Sequence, residues 1–190
     1  MDQATPQPDA RHTFESQIRE LYGRTAYTHK THLKMSDRMN GRQSSIKIIQ
    51  IVVSAVIAGG AIGSIFADEP ALPIMTAVIA TLNLIVASYL KDVNPGAVAA
   101  RHCEAGSSLW RVREDILSLL TDVRDAAIPL AELQARRDEL ISALTDIYAG
   151  APPTDSKAYG EAQKALKNNE ELYFSEDELD HLLPKALRRS

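Results

Sequence analysis

Residues 48–67 read IIQIVVSAVIAGGAIGSIFA, residues 68–70 read DEP, and residues 71–90 read ALPIMTAVIATLNLIVASYL. Two uncharged apolar runs of twenty residues are therefore separated by three polar or turn-forming ones. A helix of about 20 residues, rising roughly 1.5 Å per residue, crosses the ~30 Å hydrocarbon core of a bilayer. The stretch predicts a transmembrane helical hairpin with a tight outer turn. No other part of the chain has this character, so the lipid bilayer is the first expected partner.

Outside the hairpin the chain is strongly polar, and its charge is uneven. Residues 1–47 hold eight Lys or Arg against five Asp or Glu; residues 91–190 hold thirteen against eighteen. The acidic C-terminal part excludes a basic nucleic-acid surface, and nucleic acid is not an expected partner. Cys103 is the one cysteine among 190 residues. It cannot form an intrachain disulfide or a Cys-based zinc site alone. The first apolar run starts too far into the chain, and is too long, for a secretory leader. Neither end carries a lipidation motif.

Residues 1–12 are polar with two prolines and read as a disordered tail. From Thr13, a candidate N-cap, Phe14, Ile18, Leu21 and Tyr22 recur at helical spacing. This predicts a cytosolic amphipathic helix over 13–45 that breaks near Gly41 or runs on into the first span. The spans are expected at 46–67 and 71–90, joined by an extracytoplasmic turn at 68–70. Arg38, Arg42 and Lys47 precede the first span and Lys91 follows the second, whereas the turn holds only Asp68 and Glu69 as charges. By the positive-inside rule both termini are expected in the cytoplasm of a multi-pass cell-membrane protein.

Asn94-Pro95-Gly96 is expected to end or kink the second span. A cytosolic pair of long helices is predicted over 96–150. The first is marked by Leu109, Val112, Ile116, Leu119 and Val123, and Pro129 separates it from a second that ends at Gly150. The tail, 151–190, opens on a Pro-Pro linker. It then predicts a helix over Ser156–Lys167 and a last helix opened by the capping box Ser175–Glu178. No segment alternates with a strand's period of two. The fold class is an all-α membrane protein: a two-helix transmembrane hairpin with an N-terminal amphipathic helix and a C-terminal cytosolic helical region.

Within the first span, Ala55, Gly59 and Gly63 form a small-residue stripe suited to close helix packing, either with the second span or with another subunit. In the second span, Thr76, Ala80, Asn83 and Ala87 share one helical face. That face either packs on its neighbour or lines a pore in an oligomer. Asp68 and Glu69 mark the outer turn, as a solvated turn or as an acidic ring at a pore mouth. The spans contain no Asp, Glu, Lys, Arg or His, which argues against a proton relay or voltage sensor. Because two helices cannot enclose a pathway, a conducting form must be a homo-oligomer.

No catalytic constellation is evident, and neither a cofactor nor a metal is expected. His29 and His32 lie three apart but read as solvated or interfacial, and His102-Cys103-Glu104 as ordinary helix surface. The interleaved charges of 111–139, Arg113 and Glu114 among them, read as solvated faces, and Trp110 as a core or interface packing residue. There is no phosphate-binding Gly-rich loop, GxSxG, HExxH or CxxC. The chain is not read as an enzyme.

The layout, with SSLWRVREDILSLLTDV at 107–123, LQARRDELISALTDIYAGAP at 133–152 and AYGEAQKALK followed by FSEDELDHLLP at 158–167 and 174–184, resembles the SLATT family. These are two-transmembrane effector domains associated with nucleotide-synthesising and nucleotide-sensing partners in prokaryotic conflict systems. The resemblance implies a pore-forming or membrane-perturbing effector in antiviral defence. It would be triggered through a separate nucleotide synthase or nucleotide-sensing protein, or by sensing in the tail itself. The alternative reading is a non-conducting two-span anchor that presents its helical tail to a partner.

Overall fold

A computed structural model describes residues 10–66, 69–125, 128–169 and 171–188. Every regular element among them is helical: α1 (Ala10–Phe66), α2 (Ala71–Val93), α3 (Pro95–Asp125), α4 (Leu130–Gly150), α5 (Ser156–Lys167), α6 (Glu176–Leu182) and a final 3-10 turn at Lys185–Leu187. The helices divide between two compact units, one formed by Met1–Lys34 with Ala105–Ser190 and the other by Met35–Glu104. α1 is a single helix of 57 residues that contributes to both. Gly41, where a break was one of the two expectations, lies inside it with open space around its Cα. The 1–12 tail was drawn too long, because Ala10, Arg11 and His12 are already helical; residues 1–9 lie outside the described residues. Thr13 is accordingly a turn inside the helix and does not cap it.

In the first unit, Phe14, Ile18 and Leu21 of α1 meet Leu109, Val112, Ile116, Leu119 and Val123 of α3, and Leu133 and Leu144 of α4. These are the i, i+3, i+4 positions visible in the sequence, and each fully buried side chain contributes roughly 1.5–3 kcal/mol. Polar links fix the ends. Arg11 donates from Nη1 to the Val123 carbonyl at 2.7 Å and from Nη2 to that of Ile128 at 2.6 Å, satisfying acceptors at the end of α3. Arg136 of α4 bonds Asp122 of α3 at 2.8 Å and Glu132 at 2.7 Å. α5 starts on Asp155, whose side chain accepts from the Ala158 amide, and buries Ala158, Ala162 and Ala165. α6 opens with the expected capping box and buries none of its residues.

In the second unit, α2 stops at Asn94, which takes the left-handed conformation (φ 35°). The same residue starts α3: its Oδ1 accepts from the Ala97 amide at 3.1 Å, and Pro95 occupies the first helical position, where an N–H is not needed. Asn94 thus closes one helix and opens the next.

Candidate functional site: the transmembrane hairpin

The half-buried residues of the first span are Ile46, Gln50, Val53, Ile57, Gly60 and Ser64, with Gly63 beside the last; those of the second are Leu72, Thr76, Ala80, Asn83, Ala87 and Leu90. Both sets combine spacings of three and four that average 3.6, the helical repeat, so one face of each helix stays turned toward the other along its length. The helices approach closely at Gly60: a Cβ there would lie 2.7 Å from Thr76 Oγ1. The faces turned away are apolar and bare. Ile51 is 68% exposed, Ile65 76% and Leu84 67%. No residue of either apolar window is buried within the chain, which separates these helices from the core helix of a water-soluble protein. Hydrocarbon is the solvent that such surfaces fit.

The residues singled out in the sequence fall as follows. Thr76, Ala80, Asn83 and Ala87 share one face, and it is the half-buried one toward α1. Ala55 and Gly59 lie on the opposite side of α1 and are exposed; nothing stands within 4 Å of where a Gly59 Cβ would be. Gly63 is half-buried, with Leu72 Cδ2 at 3.7 Å. Gly60, the close-approach residue, was missed because the stripe was drawn through Gly59. Glu69 is exposed, and Asp68 lies outside the described residues.

Three hydroxyls inside the spans answer their own helices. Thr76 donates to Leu72 O at 2.9 Å, Thr81 to Ala77 O at 2.9 Å and Ser64 to Ala61 O at 2.7 Å. Such back-bonds remove the cost of carrying a hydroxyl into lipid. Gln50 and Asn83 carry amides instead. They stand together at a groove of about 420 Å³ between the two spans, walled by Ile49, Val53, Leu82 and Val86.

The helical unit holds a second polar grouping, one that overturns several surface assignments. His29 and His32 are buried, as are Thr25, Lys30, Thr31 and Arg113. His29 Nδ1 lies 2.8 Å from the Gly106 carbonyl, which can only accept, so this nitrogen carries the proton. Burial holds the imidazole below its ordinary pKa; the Gly106 bond opposes this, while Arg113 and Lys30 add to it. Gly106 permits the approach, since a Cβ there would meet Leu33 Cδ2 at 2.9 Å. Lys30 and Lys34 both pair with Glu171, Lys34 at 3.1 Å. Bonding to Lys30 is the main reason the Glu171 carboxyl is pushed down to about 2. Arg113 pairs with Glu114, leaving its Nη1 without a partner among the described residues. In the other unit His102 is buried as well, while Cys103 and Glu104 are exposed. Trp110, expected to pack in the core or at an interface, is 51% exposed and lies outside the core. Helical spacing identified Leu109 correctly, and its immediate neighbour necessarily points elsewhere.

A family model described as SMODS and SLOG-associating 2TM effector domain family 4 matches residues 14–178. The chain belongs to the SLATT family. No curated protein and no solved structure matches it. The SLATT match spans the hairpin and the helical unit together, from Phe14 on α1 to the capping-box residue Glu178. The chain is therefore a membrane protein of a two-transmembrane effector type associated with conflict systems, and SLATT is not a known enzyme family.

Proposed function

We propose that this SLATT chain is the membrane effector of a nucleotide-linked prokaryotic defence system, assembling into a homo-oligomer that breaches the cell membrane when triggered. The observation that carries the reading is the hairpin itself: two spans packed on each other along one face, bare and apolar on the others, with no charged residue inside. Two helices enclose no pathway, so breaching requires several copies. The basic flanks Arg38, Arg42, Lys47 and Lys91 support cytoplasmic termini. In that topology the helical unit meets a separate nucleotide synthase or nucleotide-sensing protein in the cytoplasm. The test is release of a trapped dye from liposomes holding the purified protein, with and without the neighbouring nucleotide-linked partner. Release that rises with protein density supports the proposal. Intact liposomes under both conditions, with monomers in detergent, count against it.

A second reading, the non-conducting anchor, draws on the C-terminal segment. Tyr173, Phe174, Leu182 and Leu187 are exposed there, at 70%, 57%, 71% and 66%. Under it, the double change Tyr173→Ser with Leu182→Ser abolishes cellular activity without altering membrane leakage.

A further inference from the structure

We infer that the Gln50–Asn83 groove of one hairpin receives the Ala55–Gly59 face of α1 from a second copy. The inference rests on the oligomeric reading above and names the contact that builds the oligomer.

Gln50 and Asn83 stand at one groove, whose walls are otherwise apolar. No hydrogen bond joins either amide to another described residue. Acyl chains offer no donor or acceptor, so lipid in this groove leaves both amides unanswered, a cost that Ser64, Thr76 and Thr81 avoid by bonding their own helices. The occupant must therefore be apolar over most of its surface and must present backbone polarity at one point. A helix carbonyl has a second lone pair that an amide N–H can reach, provided that no bulky side chain shields it.

α1 presents such a surface. Ala55 lies nine residues beyond Ile46, about half a turn round the helix from the face that packs on α2. Ala55 and Gly59 are exposed, and the space at Gly59 is open. Depth agrees as well. Gly60 stands beside Thr76, and the spans are antiparallel, so Asn83, seven residues beyond Thr76, is level with Val53. Ala55 is two residues from that level, about 3 Å. Copies standing side by side in one membrane thus bring Ala55 and the Asn83 amide to nearly the same height, with Gly59 one turn further along the same face. The complementarity is of hydrogen bonding: unpaired amides on one side, unshielded backbone carbonyls on the other.

Groove and face are different surfaces of one hairpin, so the contact is head-to-tail. It leaves each copy with an open groove at one end and an open face at the other, and it ends only when a ring closes.

The test uses full-length protein in liposomes, with Cys103 replaced by serine. Ala55→Cys and Leu82→Cys are made in separate, differently tagged copies, mixed before reconstitution and oxidised. A disulfide joining the two tags, absent when either variant is reconstituted alone, is the expected result. Linkage of Ala55→Cys to itself, or no linkage in either case, overturns the inference. Gly59→Leu and Asn83→Leu, each with helical content retained, are expected to reduce the mixed cross-link at least tenfold; cross-linking at the starting level overturns it too. Dye release is read from the same liposomes. Cross-linking without release sustains this contact while the breaching function fails. Release without cross-linking sustains the function while this contact fails.

Discussion

Gly60 and Thr76 meet face to face between the two spans: the threonine hydroxyl oxygen lies 2.7 Å from where a Cβ on the glycine would be. The hydroxyl is also bonded to the Leu72 carbonyl, which restricts its escape. Gly60→Ala is therefore expected to destabilise the hairpin by about 1–3 kcal/mol, the usual cost of overpacking. Thr76→Ala in the same chain removes the obstructing oxygen and restores most of the loss. Gly59→Ala, one residue away, leaves hairpin stability unchanged because its Cβ enters open space. Thermal unfolding in detergent micelles checks all three, and equal effects at Gly59 and Gly60 would refute the packing assignment.

His29 makes stability depend on pH. Its pKa is lowered from the ordinary 6.5 in the folded protein, so the unfolded chain binds a proton at a higher pH than the folded one. Below pH 6.5 the unfolded state gains protons that the folded state refuses, and stability falls until the folded-state pKa is passed. Thermal midpoints taken from pH 7.5 down to 5.5 are expected to drop. His29→Gln, which can still donate toward the Gly106 carbonyl, is expected to shallow that drop. A variant whose midpoint follows the same slope as the parent excludes His29 as its source.

The Lys30–Glu171–Lys34 cluster ties the segment after α5 to α1. The carboxyl is held near 2, against 4.5 for an ordinary glutamate, so the tie is at full strength above about pH 4.5 and is lost as pH falls toward 2. Glu171→Gln is expected to speed amide exchange and proteolysis across 171–188 at neutral pH. Lys30→Met, which removes the buried partner, has the larger effect of the two lysine changes, because Lys34 is the more exposed. Unchanged exchange in Glu171→Gln defeats the prediction.

The hairpin was legible because hydrocarbon imposes its demand on length and composition alone: twenty uncharged residues, three turn residues, twenty more. The bounds of α5 and the Ser175–Glu178 capping box were legible because local bonds set them. Rotational facing was harder. Gly59 and Gly60 are adjacent, and the choice between them depends on where α2 sits. The regular 46, 50, 53, 57, 60 pattern, matched by 72, 76, 80, 83, 87, held that information, but an all-apolar span hides it. His29, His32, His102 and Arg113 were read outward because polar residues usually face water. Their burial depends on partners distant in sequence, such as Gly106, 77 residues from His29. Spacing within one helix cannot reveal such partners.

Arg113 offers the sharpest test of the buried polar grouping. The residue is 8% exposed, and its guanidinium is paired with Glu114 and has one nitrogen unanswered among the described residues. A buried charge that is incompletely bonded costs desolvation it does not recover, and an apolar side chain of similar length often serves as well or better. Arg113→Met is therefore expected to leave the thermal midpoint equal or higher. Glu114→Gln, which keeps the cation and removes its counter-charge, is expected to lower it. Arg113 also helps to hold down the His29 pKa, so Arg113→Met should end the acid-induced loss of stability at a higher pH, which narrows its range and makes the loss smaller. Midpoints of the two variants and the parent, taken over the same pH series, decide the matter: a fall in Arg113→Met as large as that in Glu114→Gln would mean that the guanidinium stabilises the bundle after all.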